Sequence, residues 1–164
     1  MTQVSTAELA TWLNSTLDIA RFKDYCPNGL QVEGKPYIGK LVTGVTASLA
    51  LIDAAIARQA DAILVHHGWF WKNENPCIVG TRKTRIERVL SHQLNLLGYH
   101  LPLDAHPELG NNACLARVLG LAVHGRFGEQ DLACLGERAD GGVFADAAAL
   151  ARHAEAALGR AVTC

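Results

Sequence analysis

The chain has little with which to cross a membrane, crosslink itself or grip a polyanion. Although 49% of its residues are hydrophobic, no apolar run approaches the ~18–20 residues that a membrane span needs. The five cysteines (Cys26, Cys77, Cys114, Cys134 and Cys164) are odd in number, scattered, and include no C-x-x-C pair. That pattern excludes a disulfide framework and a zinc ribbon, and fits small buried hydrophobes in a reducing compartment. There is no basic excess either. Fifteen Lys and Arg against sixteen Asp and Glu give a formal charge of −1, so nucleic acid is not an expected partner. The opening MTQVSTAELATWLNS lacks a basic segment followed by an apolar one, so no secretory signal is read. The expectation is a soluble, cytoplasmic protein, and its 164 residues fit a single domain, 1–164, without repeats, linkers or low-complexity segments.

What is present alternates between two periodicities. STAELATWLNSTL (5–17) pairs Ser5 with Glu8 in a capping box ahead of apolar residues at helical spacing. KLVTGVTAS (40–48) is a β-branched strand, and Ser48 caps the alanine-rich helix 49–60. DAILVHH (61–67) is a continuous apolar run, as a strand covered on both faces requires. A helix over 84–94 and a strand over NLLGYHLPLD (95–104) follow, then helices over 111–120 and 144–159, and RAVTC (160–164) reads as the start of a further strand. Strand–helix alternation predicts an α/β fold whose sheet is largely parallel or mixed and flanked by helices.

Aromatics are scarce, at 6% of the chain, yet three crowd into LVHHGWFW (64–71) directly after two adjacent histidines. In open α/β sheets ligands bind beyond the carboxyl ends of the strands, which is where His66 and His67 fall. Gly68 would free the backbone to turn there. YHLPLDAH (99–106) places His100 and Asp104 at a second strand end, with His106 beyond. Imidazole and carboxylate without thiolate suit Zn, Mn, Fe or Ni, and open coordination positions would bring a water's pKa toward ~7. Each residue also has a plainer reading. A strand-end histidine can be simply hydrogen-bonded, and Asp104 can cap the following helix. Trp69, Phe70 and Trp71 can be core or interface, although Trp71 with Lys72 could also wall a heterocycle-sized pocket. TRKTRIER (81–88) reads as a solvated helix face, but Arg82, Lys83 and Arg85 become phosphate contacts if a phosphorylated ligand binds nearby.

LVHHGWFW, YHLPLDAH and GNN, with DYCPNGLQVEG and VTGVTAS upstream, resemble the Nif-three-like family (NGG-one-interacting-factor-three-like), whose bacterial members are often labelled GTP cyclohydrolase 1 type 2. The resemblance implies an α/β fold, a dinuclear metal centre and a toroidal homohexamer. It implies His66 and His67 as ligands to separate metals, Asp104 as a further ligand, and His100 as either an extra ligand or the catalytic acid/base. Asn28 would line the same cleft, and with Trp71 and Arg82 would meet substrate. The activity implied is a metal-dependent hydrolase in which activated water attacks a purine nucleotide, opening the ring of GTP and releasing formate. A metal-binding scaffold working through protein partners and a nucleotide phosphoesterase are the alternatives. The family's distal H-x-x-x-E motif, which supplies a bridging glutamate, does not occur here. Two divalent ions with incomplete occupancy are therefore expected, in a chain that reads as stopping inside a strand.

Overall fold

The computed structural model describes residues 3–163. They divide into two compact units between Pro102 and Leu103, where the sequence reads as a single domain.

The first unit begins with β1 (Val4–Ser5) and α1 (Thr6–Thr16). The expected capping box is formed: Glu8 N–H donates to Ser5 Oγ at 3.2 Å, and Ser5 N–H donates back to the Glu8 carboxylate at 3.2 Å. Next come β2 (Gly29–Val32), β3 (Tyr37–Ile38), β4 (Leu41–Thr46), α2 (Leu49–Ala57), β5 (Ala62–His67), α3 (Gly80–Ser91) and β6 (Asn95–Gly98). Strands β2-β6-β5-β4 form one sheet in that order, and β1 pairs with β3 apart from it. Strand β5 runs parallel to both neighbours, while β2 is antiparallel to β6. The sheet is thus mixed, with β4-α2-β5 and β5-α3-β6 as its parallel crossovers. Ala62, Ile63 and Val65 of β5 are buried, and Ile63 and Val65 pack with Ile52, Ala55, Val89 and Leu96 into one core. A strand roofed on both faces cannot alternate polar with apolar residues, which is why AILV is unbroken.

The third parallel strand is shorter than the sequence suggests. β6 ends at Gly98, and Leu101–Ala105 is a short helix, α4. Asp24 and Asn28 accept the backbone N–H groups of Leu101 and His100 at 2.9 and 2.7 Å, so the chain leaves the ladder there. Pro102, which has no N–H to lose, sits in the first turn of α4, where that donor would be unused.

The second unit holds α5 (Asn111–Val118), the antiparallel hairpin β7 (Leu121–Phe127) and β8 (Ala133–Arg138), and α6 (Ala147–Leu158). Gly110 is the N-cap of α5, not Asp104. Asp146 caps α6 by accepting from Ala149 N–H at 2.7 Å, and Gly159 closes it at φ 64°. Residues 161–163 are not a strand. The β-branched run there finds no pairing partner among the described residues, and Cys164 lies outside them.

Two polar clamps hold the edges of the first unit. Asn95 is fully buried; its Nδ2 donates to the carbonyls of Lys35 (2.9 Å) and Asp61 (3.2 Å), and its Oδ1 accepts Gly34 N–H at 2.8 Å. Replacing Asn95 with Leu strands those groups, so it is expected to lower unfolding stability by about 2–3 kcal/mol, read from urea melts. Asp61 accepts Lys35 Nζ at 2.7 Å and the N–H groups of Gly39 and Lys40 at 3.0 Å each. The Lys35 bond, then those backbone donors, outweigh burial and hold the Asp61 carboxyl below its ordinary range. A lowered folded pKa adds stability that is complete above the unfolded value of about 3.9, and is lost as pH falls through the folded one. The stability gap between wild type and Asp61→Asn is therefore expected in full at pH 7 and to shrink below about pH 4.

Candidate metal centre

β5 delivers His66 and His67 from its carboxyl end, and the turn after β6 delivers His100. Alternation along a strand would send adjacent side chains to opposite faces, but these two stand where the ladder runs out. Their ring centroids are 4.4 Å apart, and His100 lies 4.9 Å from His66 and 5.7 Å from His67. One ligating nitrogen from each of the three lies within 4.8 Å of the others. Two nitrogens on one tetrahedral ion, with bonds of 2.0–2.1 Å, would sit about 3.4 Å apart, so the rings would have to draw closer to share one ion. His66 Nε2 is sealed from solvent, and His67 Nδ1 is 3.3 Å from Thr46 Oγ1 on β4. A neutral, all-nitrogen set fits the borderline divalent ions expected from the sequence.

A residue not singled out in the sequence orders this cluster. The Asp24 side chain is 3% exposed, and its Oδ1 lies 2.7 Å from His100 Nδ1. Oδ1 also accepts Tyr25 N–H at 2.6 Å, and Oδ2 accepts Asn28 Nδ2 and Leu101 N–H at 2.9 Å each. Burial works to raise the Asp24 carboxyl, but the bonds from His100, Asn28, Leu101 and Tyr25 outweigh it and leave it lowered. Asn28 thus links Asp24 to the His100 backbone. The only hint in the sequence was its place in DYCPNGLQ, four residues before Asn28.

Asp24, Cys26 and His100 form a second convergent set. Burial, with the Asp24 charge adding to it, pushes the Cys26 thiol up to about 11, so without a metal it stays protonated at neutral pH.

The loop after β5 is shaped by close packing. Gly68 does not take a positive φ; Phe70 (φ 65°) and Asn73 (φ 68°) do. Gly68 is needed for room, because a Cβ there would come within 2.2 Å of Gln31 Oε1. Gln31 on β2 accepts Trp69 N–H at 2.7 Å, and its Nε2 donates to Pro27 O at 2.8 Å. Trp69 is core, donating Nε1–H to Ala47 O at 3.1 Å. Trp71 is half-buried and stands edge-on to His100 at 4.9 Å. Arg82 lies over Phe70, pairs with Glu74 at 3.8 Å and bonds the Asn75 carbonyl. It fastens this loop, and its side chain is only 16% exposed.

Asp104 belongs to the second unit, on α4, and accepts Asn111 Nδ2 at 2.8 Å. The convergent histidines all belong to the first unit.

A family profile for Duf34/NIF3 (NGG1p interacting factor 3) matches residues 4–164. The chain belongs to this family. It is 56% identical over 153 residues to a protein of Neisseria meningitidis serogroup A named "GTP cyclohydrolase 1 type 2 homolog", covering 93% of this chain and 60% of that protein. A Pseudomonas aeruginosa protein of the same name is 53% identical over 147 residues, covering 88% of this chain and 57% of that one. Among solved structures, "protein ybgI, unknown function" aligns with a TM-score of 0.87 at 48% identity, covering 96% of this chain and 62% of that one. TTHA1606 from Thermus thermophilus aligns with a TM-score of 0.73 at 41% identity, covering 78% and 53%. The chain therefore spans about 60% of the length of such relatives. Among the described residues no helix is long and apolar enough to cross a membrane.

The buried Cys26 and the exposed Cys77 give this packing a direct check. At pH 8, iodoacetamide is expected to label Cys77 in the native chain and Cys26 only after denaturation, as read by peptide mass spectrometry.

Proposed function

We propose that the chain carries the metal-binding face of a divalent-metal-dependent hydrolase acting on a purine nucleotide, GTP being the substrate suggested by the names of its relatives. The observation that supports this reading most is the convergence of three imidazoles at the carboxyl ends of two neighbouring parallel strands, where α/β sheets bind ligands. In the proposal His66 and His67 are ligands and Asp104 supplies a carboxylate, as the family resemblance implies. Once bound, a divalent ion supplies Lewis acidity and makes a water nucleophilic near neutral pH.

The chain's own groups do the rest. Trp71 offers a flat, half-buried ring beside His100, suited to stack on or wall a purine. Asp24 and Asn28 fix the turn that carries His100. Two roles are open to His100, moving a proton or supplying a further nitrogen. The reaction to be tested consumes two waters: one adds to an electrophilic ring carbon and opens one C–N bond, the second cleaves the other, and the carbon departs as formate while the two nitrogens take up the protons. Arg82 remains a candidate phosphate contact only if it exchanges Glu74 for a substrate anion.

Two metal ions, a homohexamer and a cytoplasmic setting belong to the same proposal, on the family resemblance. The test is incubation of the metal-loaded protein with GTP while following formate. Formate release that falls at least about 100-fold in His67→Ala is expected, since a ligand's loss removes the metal's contribution to the barrier. Release of inorganic phosphate instead would transfer the reading to a phosphoesterase. Absence of turnover with any nucleotide, with metal bound, would leave a metal-holding scaffold.

A further inference from the structure

Leu121, Val123 and Arg126 of β7 all line one small cavity in the second unit. Strand alternation would put residues 121 and 123 on one face and 126 on the other. The register against β8 shifts between Val123 and Gly125, and this bulge turns Arg126 onto the face of the two apolar residues. There it stands directly opposite Cys134 of β8, which lines the same cavity. Helix α5 forms another wall through Ala116 and Arg117. Two arginines, one of them brought over by an irregularity in the ladder, therefore share a hollow of about 180 Å3.

Neither arginine is neutralised by its surroundings. Arg117 Nη1 donates to the Glu108 carbonyl at 2.8 Å and its Nη2 to Cys114 Sγ at 3.1 Å. These bonds brace the planar fork without a carboxylate, and a guanidinium has five N–H donors, so three remain to be used. Arg126 is half-buried, and its guanidinium bonds no carboxylate or carbonyl among the described residues. No acidic residue lines the cavity among the described residues. Arginine stays charged at any ordinary pH, so two like charges repel across a small, partly enclosed space. A ligand with two negative charges relieves that repulsion, and a carboxylate supplies only one. Guanidinium forks match phosphate oxygens in a paired, planar geometry. The volume is below the ~300–1,000 Å3 of pockets that enclose drug-sized molecules, which leaves no room for a nucleotide's base and sugar. We infer that this cavity binds the phosphate group of a small ligand, held between Arg117 and Arg126, with Ala116, Leu121 and Val123 against its apolar part. The inference does not depend on the metal reading proposed above.

The experiment uses the whole 164-residue chain, stripped of metal so that no bound ion can draw the anion, and labelled with 15N-arginine. Inorganic phosphate is the probe, with acetate titrated in parallel at the same ionic strength. The Nε–Hε resonances of Arg117 and Arg126 should shift together and saturate with phosphate, and acetate should move them far less. Arg126→Gln should weaken phosphate binding at least about tenfold, because it removes a charge-assisted, two-pronged contact. Arg126→Lys keeps the charge but loses the fork, and should recover only part of that loss. Shifts that never saturate, shifts that acetate reproduces in full, or a phosphate affinity unchanged in Arg126→Gln would each overturn the inference, and each would leave the metal reading untouched. The wild-type titrations decide the matter even if the variants fail to fold.

Discussion

The candidate centre depends on one buried carboxylate. Asp24 gathers donors from its own loop, from Asn28 and from the turn after β6, joining segments more than seventy positions apart in the chain. A charge that is 3% exposed is tolerable only because hydrogen bonds replace its lost hydration. The network therefore acts as a unit. Removing any one donor leaves the carboxylate less well compensated, and the ring of His100 less well aimed. The sheet sets the coarse position of the histidines by bringing the ends of β5 and β6 side by side. Asp24 and Asn28 set the fine position, because they hold the backbone and ring of His100 at once.

Close approach organises the other wall. Gln31, on the edge strand β2, lies against Gly68 and Gly98, where added Cβ atoms would come within 2.2 and 2.8 Å of its amide. The two glycines leave space for a polar side chain that ties Trp69 to Pro27. The loop carrying Trp71 and the loop carrying Asp24 are thus joined through one amide, and Lys72 N–H reinforces the join by donating to Tyr25 O at 2.6 Å. Arg82 and Glu74 fasten the far end of the Trp71 loop. Such a wall holds the flat Trp71 ring beside His100.

Much of this was legible in the sequence, and the exceptions have physical causes. Capping residues act locally, so Ser5 and Ser48 declared their helices without help from the rest of the chain. The unbroken AILV run declared a doubly covered strand, and HH at its end declared the candidate ligands. Asp24 stayed hidden because its partners are remote in sequence, and an isolated aspartate before a tyrosine has no periodic signature. The strand read into 95–104 failed at Gly98 for the same reason, since the groups that lift His100 and Leu101 out of the ladder come from residues 24 and 28. Gly68 was noticed for its backbone freedom, but its function is to leave room for Gln31. Residues 161–163 find no strand partner among the described residues, and β-propensity alone does not pair them.

The kind of group that clusters here bears on the metal reading proposed above. Three imidazoles converge at the carboxyl ends of β5 and β6, and the Asp24 carboxylate stands behind one of them, its oxygens occupied by the N–H groups of Tyr25, Asn28 and Leu101 and by the contact to His100 Nδ1. In that reading a divalent ion held by imidazoles would keep most of its charge and would attract anionic oxygens. The buried carboxylate would act on such an ion only through the ring it orients, which gives a costly buried charge a use beyond holding two loops together.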